Sequence, residues 1–275
     1  MADGVAGNRA RYWRDRDVPG LRLLHADFTH HDYTPHFHEA WVIAITEAGG
    51  SEFHSRGLTA EATGQAVLVF NPLEPHSGRM GRSDRWRYRS FYLRPSAISA
   101  VMSLLDVSEE PYFRNNLVTD PALAASFLRL HRAMEGADDP LLRQELLALS
   151  FGGLVGRHAT DRPRRAPGRR RASIAQAIAL IHDAHDQRLT LEDLGRVSGL
   201  TVFQTIRAFK QVTGLTPHAY LTQTRLLAAA LRLERGEPLA DTALAVGFYD
   251  QSAFTRQFKR TYGITPLCYA RAMRG

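Results

Sequence analysis

Three histidines and two matching basic segments are the residues whose types and spacing could do chemistry in this chain. His36 and His38 stand two apart in "PHFHE", and His76 follows in "NPLEPHSG". On a strand, residues two apart share a face, and imidazoles brought together can ligate a metal ion or hydrogen-bond a small ligand. The basic segments are "RAFKQVTGLTPHAY", Arg207 to Tyr220, and "RQFKRTYGITPLCY", Arg256 to Tyr269, forty-nine residues later. Arg, Phe, Lys, Gly, Thr, Pro and Tyr recur at matched places, and Lys210 and Lys259 are the only lysines in the chain. A cation kept in both copies near a helix end complements the helix dipole or, on its flexible stem, meets a phosphate oxygen. No paired acid and base and no nucleophile constellation accompanies them, so no enzymatic activity is expected.

The elements that must carry these residues are bounded by the whole-chain numbers. A chain of 275 residues is long enough for two modest domains, each with its own core. No apolar run is long enough to span a bilayer, and the charged start "MADGVAGNRARYWRDRD" has no signal-peptide stretch, so a cytoplasmic location without membrane contact is expected. The lone Cys268 excludes an intramolecular disulfide and a multi-cysteine zinc site. The net charge of +7 is unevenly spread: residues 1–161 carry −3, residues 162–171 +6 and residues 172–275 +4. One-sided basic character points to nucleic acid before an acidic metabolite.

The basic segment "RPRRAPGRRRA", Arg162 to Ala172, reads as a linker that serves as a solvated tether and can add phosphate contacts. It divides the chain into domains at 1–160 and 173–275, with the linker at 161–172. From about residue 22 to 94, short apolar or alternating runs ("WVIAIT", "AVLVF", "WRYRSFYL") separated by "EAGG", "ATGQ" and "NPLEPHSG" predict a small antiparallel sandwich or barrel. From Pro95 to His158 the pattern is helical, with Pro121 and Pro140 placed for first turns. Those helices have apolar stripes wide enough to cover a sheet or a second subunit.

The C-terminal third is helical throughout. "TLED" at Thr190 and "TVFQ" at Thr201 put a hydroxyl three residues before an acid or amide, the arrangement of a capping box. "LEDLGRVSGL" forms a short helix ending at Gly199, and Thr201 starts the next; two short helices joined by such a turn form a helix-turn-helix. "LADTALAVGFYDQSAFTRQFKRTYG" repeats the plan, with Gly247 at the turn and Asp250 as cap. The helix between the units, bracketed by Pro217 and Gly236, has some eighteen residues and a length of roughly 27 Å, which suits two helices entering successive major grooves.

The doubled pattern Arg-x-Phe-Lys-x-x-x-Gly-x-Thr-Pro-x-x-Tyr, with "VGFYDQSAFTRQFKRTYG" in its second copy, resembles the DNA-binding domain of AraC/XylS-type transcription regulators over residues 172–272. Residues 20–95 resemble, more loosely, the cupin-like effector domain of that family. The resemblance implies an α+β two-domain fold: an N-terminal cupin-like β-barrel with flanking helices, and a C-terminal all-α double helix-turn-helix. It also implies promoter DNA and a small-molecule effector as partners, with a homodimer and contact to RNA polymerase, and no cofactor. Base-reading positions are implied at Phe203, Gln204, Ile206 and Arg207 in the first copy and at Gln251, Ser252, Thr255 and Arg256 in the second, with Thr201, Lys210 and Lys259 completing the DNA-binding set. Arg forks onto guanine, Gln onto adenine, and Phe or Ile meets a thymine methyl. Thr205 stands where relatives carry an aliphatic residue, which predicts a weaker seat for that helix. Phe209 and Phe258 read as core anchors, and Tyr220 and Tyr269 as packing after each Thr-Pro turn.

In a cupin metal site an acid follows the His pair by three or four residues; here Trp41 and Val42 stand there, with only Glu39 nearby. The metal pattern is incomplete. His36, His38 and His76 are therefore expected as effector contacts or as satisfied barrel-mouth histidines, with Trp86, Tyr88 and Arg89 as further effector residues or, for the aromatic pair, core. The favoured function is a ligand-responsive DNA-binding regulator at promoters. The alternatives are a metal-dependent cupin enzyme with a DNA-binding appendage, and an architectural binder without effector, which leaves the acidic N-terminal half unexplained.

Overall fold

The structure, a computed structural model, describes residues 8–136, 139–160 and 169–274. These fall into two compact units, one of residues 8–32 and 38–160, the other of Tyr33–Phe37 with residues 169–274. Among the described residues no helix is long and apolar enough to cross a membrane.

The first unit is built on antiparallel strands: β1 (Arg9–Arg14), β2 (Leu21–Phe28), β4 (Trp41–Ser55), β5 (Leu58–Thr63), β6 (Ala66–Phe70), β7 (His76–Arg79), β8 (Trp86–Leu93) and β9 (Leu117–Thr119); the short β3 (Asp32–His36) precedes β4 in the chain. The main path runs β1-β2-β8-β4-β6-β9, while β5 and β7 pair with the far half of β4. β4 therefore serves two sheets, and its length corrects the expected division at "EAGG". Those four residues lie inside one fifteen-residue strand. The strand bends there through a register shift against β8 between Thr46 and Ala48. At Gly49, φ is +74° and an added Cβ would lie 1.6 Å from the Arg85 carbonyl oxygen, so only glycine allows the turn.

Period-two alternation sorts the strands into two faces. Leu21, Leu23, Trp41, Ile43, Ile45, Val67, Val69, Phe91 and Leu93 pack into one buried cluster with helices α1 (Pro95–Leu104), α2 (Pro121–Gly136) and α3 (Pro140–His158). The helices thus cover the sheet, and Pro121 and Pro140 open α2 and α3 as expected. Asp139 caps α3 by accepting from the Leu142 N–H at 3.0 Å. On the other face Val42, Phe53, Leu68 and Phe70 form a separate cluster against Tyr92.

The second unit consists of α4 (Arg169–Asp183), α5 (Leu191–Ser198), α6 (Val202–Thr213), α7 (Pro217–Glu234), α8 (Leu239–Ala245), α9 (Gln251–Tyr262) and α10 (Pro266–Arg274). Residues 161–168 of the expected tether lie outside the described residues. Residues 169–172, expected in the same tether, are helical instead, because arginine and alanine favour helix and lead directly into "IAQAIALI". Ile174, Ala177 and Ile181 of α4 pack with Leu194, Phe209 and Tyr220. Phe37, from the short segment that groups with this unit, is buried in the same core, its ring 4.8 Å from that of Tyr220.

Candidate nucleic-acid interface and ligand face

Both capping boxes form. Thr190 accepts from the Asp193 N–H while the Asp193 carboxylate accepts from Thr190, and Thr201 and Gln204 do the same at the start of α6. In the second copy Asp250 caps α9 through the Ala253 N–H at 2.6 Å. Each helix is seated by a phenylalanine with no exposed surface, Phe209 in α6 and Phe258 in α9. Tyr220 lies edge-on to Phe209 at 5.3 Å, and Tyr269 to Phe258 at the same distance. Thr205 is fully buried, and its hydroxyl donates to the Thr201 carbonyl at 2.9 Å. That bond satisfies the hydroxyl within its own helix, so the departure from an aliphatic residue leaves no orphaned polar group.

What remains outward on α6 is Phe203, which is 74% exposed, together with Gln204, Arg207 and Lys210; Ile206 is half-buried. On α9 the outward residues are Gln251, Ser252 and Arg256, with Thr255 and Lys259 half-buried. Gln204 carries a constraint that its residue type did not reveal. Its Oε1 accepts from the Thr201 N–H at 3.1 Å, so a bidentate contact to adenine, which needs that oxygen, would open the cap. Lys210 and Lys259 lie in the last turns, and their carbonyls accept from Gly214 at 2.9 Å and Gly263 at 2.8 Å.

Sequence reasoning overlooked Tyr249, which is 95% exposed immediately before the cap of α9. A signal was available: the cap follows the turn glycine by two residues in the first copy, at Gly199 and Thr201, and by three in the second, at Gly247 and Asp250.

His38 and His76 of the first unit lie with ring centroids 5.4 Å apart, while His36 falls in the short segment that groups with the second unit. Nδ1 of His36 meets the Thr34 carbonyl at 2.7 Å, and Nδ1 of His76 meets that of Glu74 at 2.8 Å, which makes Nδ1 the donor in each ring. Burial pulls the His76 pKa down to about 4, so this ring is neutral at pH 7. Its ring stacks on Phe70 at 3.9 Å, and His38 lies edge-on to Tyr92 at 5.1 Å. Neutral imidazoles of this kind can ligate a metal ion or accept a hydrogen bond from a ligand. Glu74 holds the loop that delivers His76: its carboxylate accepts from the Ser55 hydroxyl at 2.9 Å and from the side-chain amides of Asn71 at 2.8 Å and Asn116 at 2.6 Å, and it pairs with Arg56.

Trp86 and Tyr88 stack on one another at 4.6 Å on the sheet face away from the helices. Arg89, expected to join them, is directed to the opposite face by strand parity. There its guanidinium pairs with Glu47 at 3.0 Å and Glu135 at 2.9 Å and donates to His131 Nδ1 at 2.9 Å. Glu47 also meets Arg132 at 2.8 Å and His25 at 3.3 Å. The His25 hydrogen bond and the Arg132 and Arg89 guanidiniums hold the Glu47 carboxyl well below the usual range. Arg89 therefore ties β8 to β4 and α2, and the aromatic pair shares its face with no part of this ion network.

The AraC-like ligand binding domain family matches residues 18–151, and the Helix-turn-helix domain family matches residues 194–272. The HTH-type transcriptional regulator YbfI of Bacillus subtilis, itself uncharacterized, is 26% identical over 218 residues, 79% of each chain. The regulatory protein SoxS of Escherichia coli is 36% identical over 97 residues, 35% of this chain and 91% of that protein. The fold is shared with ToxT of Vibrio cholerae in its structure with a bound unsaturated fatty acid, at a TM-score of 0.56 and 12% identity over 98% of this chain and 97% of that one. These matches give the enzyme alternative no support. With a ligand-binding domain and a doubled helix-turn-helix in the family's order, the chain belongs to the AraC/XylS-type transcription regulators.

Proposed function

We propose that this regulator reads promoter DNA through Arg207 on α6 and Arg256 on α9, each entering a major groove, and that a small molecule held by the first unit governs the outcome. The observation that carries this is the equivalence of the two arginines. Both are exposed, both lie six residues after their helix cap (Thr201 and Asp250), and both helices are anchored by a buried phenylalanine two residues further on. Phe203, Gln251 and Ser252 flank them as groove contacts, and Lys210 and Lys259 reach phosphates.

The effector contacts we assign are His38, His76, Trp86 and Tyr88. Their chemistry is aromatic rings and imidazoles, which suits a ligand with a planar or apolar body and a hydrogen-bonding group. The working form is a cytoplasmic homodimer that contacts RNA polymerase and has no enzymatic activity of its own. Sequences selected in vitro from random duplex DNA by the full-length protein test this reading. Recovery of a motif with two half-sites about one helical turn apart is expected; recovery of no preferred sequence would overturn it.

A further inference from the structure

Between the two helix-turn-helix units the chain makes a junction centred on Arg225 of the rod α7. Arg225, on the rod α7, donates Nε to the His185 carbonyl at 2.7 Å and Nη2 to the Gln187 carbonyl at 2.9 Å. Both carbonyls belong to the segment that joins α4 to α5 and so leads into the first unit. The turn of the second unit closes on the same place. At Gly247, φ is +86°, and an added Cβ would lie 2.8 Å from the Asp186 carbonyl oxygen and 2.9 Å from Nη2 of Arg225. Three segments that are far apart in sequence thus meet around one guanidinium: residues 185–187, the middle of α7, and the α8–α9 turn.

The rod and the junction do different work. A helix such as α7 fixes the distance between its ends, but rotation of a flanking unit about the rod must be set by contacts on its side. The guanidinium supplies these through a planar fork that two carbonyls hold in orientation. Space at Gly247 is too small for a side chain without a shift, so the glycine lets the second unit's turn lie directly against the Arg225 guanidinium and the Asp186 carbonyl. The charge of this arginine is directed at protein carbonyls, whereas Arg207 and Arg256 are exposed on the recognition helices.

We infer that Arg225 and Gly247 fix the rotational phase between α6 and α9, and so make Arg225 a positioning residue for half-site spacing. The inference rests on the proposal that both units read DNA. One base pair inserted between half-sites turns the second groove by about 34°, which a fixed pair of helices cannot follow without distorting itself or the duplex.

The test uses full-length protein, the duplex recovered by in vitro selection, the same duplex with one base pair inserted or removed between the half-sites, and random DNA. The parent should lose at least about thirtyfold in affinity on either altered spacing, near the cost of one or two mismatched base pairs. Arg225→Ala should bind the selected duplex about tenfold more weakly, show a spacing penalty of less than about threefold, and keep the parent's affinity for random DNA and its salt slope. Arg225→Lys, which retains one donor, should fall between. If Arg225→Ala melts well below the parent, Arg225→Met, which keeps an unbranched stem and removes both donors, carries the same expectation.

A spacing penalty undiminished in both Arg225→Ala and Arg225→Met overturns the inference. So does an equal loss on random DNA with a salt slope lowered by about one, which would make Arg225 a phosphate contact. A parent that selects a motif yet tolerates both spacings overturns the inference alone. A parent that selects no motif overturns the DNA-reading proposal and this inference with it.

Discussion

Leu200 and Phe248 hold the same place in the two helix-turn-helix units: each donates its backbone N–H to the carbonyl five residues back, Gly195 at 3.1 Å and Ala243 at 3.0 Å. The next residue breaks the match. Leu200 is followed directly by the cap Thr201, whereas Phe248 is followed by Tyr249 and only then by the cap Asp250. The second copy therefore has one extra residue at the mouth of its recognition helix, and that residue is an almost fully exposed tyrosine. Tyr249→Ala is expected to weaken DNA binding by about 1 kcal/mol, the worth of one hydrogen bond to the duplex, without moving the salt slope or the melting temperature. Unchanged affinity on both selected and random duplexes would show that the tyrosine does not touch DNA.

Arg207→Ala and Arg256→Ala should each cost about 1–3 kcal/mol on the selected duplex and relax preference at one base position. The check is affinity for duplexes with each base substituted in turn. Equal loss on selected and random DNA would reassign the arginine to a phosphate.

Lys210→Ala and Lys259→Ala separate two roles for the same cation. A phosphate contact predicts weaker binding to every duplex and a salt slope smaller by about one per lysine, additive in the double variant. A dipole role predicts a loss of about 0.3–1 kcal/mol in helix stability with an unchanged slope. Binding at several salt concentrations, with melting curves of the free protein, distinguishes them. The phosphate role is expected for both.

Acid should weaken the first unit in a defined window. Burial holds His76 near pKa 4 and, helped by the charge of Arg89, His131 near 3, both below the value of about 6.5 for an unfolded histidine. A depressed folded-state pKa means that the unfolded chain binds more protons, so this stability is present above about pH 6.5 and is lost as pH falls toward 4 and 3. Each histidine contributes up to about 1.4 kcal/mol per pH unit across that range. Urea unfolding between pH 7 and 4 should show a falling midpoint, and His76→Gln should flatten the dependence. A midpoint constant down to pH 4 would contradict the neutral assignment of both rings.

The helical unit was the more legible part of the sequence, because its signals are local. Caps at Thr190, Thr201 and Asp250, the phenylalanine anchors and the Pro217 helix start all depend on residues within one turn of each other. β4 was misdivided because "EAGG" has the composition of a turn, and only the partner strand β8 shows that a bulge passes through it. The fate of Arg89 was half legible. Strand parity alone sets it opposite Trp86 and Tyr88, but its partners Glu47, His131 and Glu135 lie more than forty residues away in the chain. Phe37 has no local pattern that marks it as core, because its partner Tyr220 lies far along the chain, and Arg225 is one basic residue among many in the sequence, its role set by the His185 and Gln187 carbonyls that accept from it.

The core of the first unit joins Leu21 and Leu23 near the start of the chain to Phe151 and Leu154 near the end of α3. Synthesis runs in one direction, so when Phe91 of β8 has left the ribosome the sheet face bearing Leu23, Ile43 and Phe91 still lacks its cover. The residues from Phe91 to Leu154 take several seconds to make at roughly 5–20 residues per second. For that interval a broad apolar face stands open on the nascent chain, and a chaperone that binds such surfaces has its opportunity there, before α2 and α3 arrive.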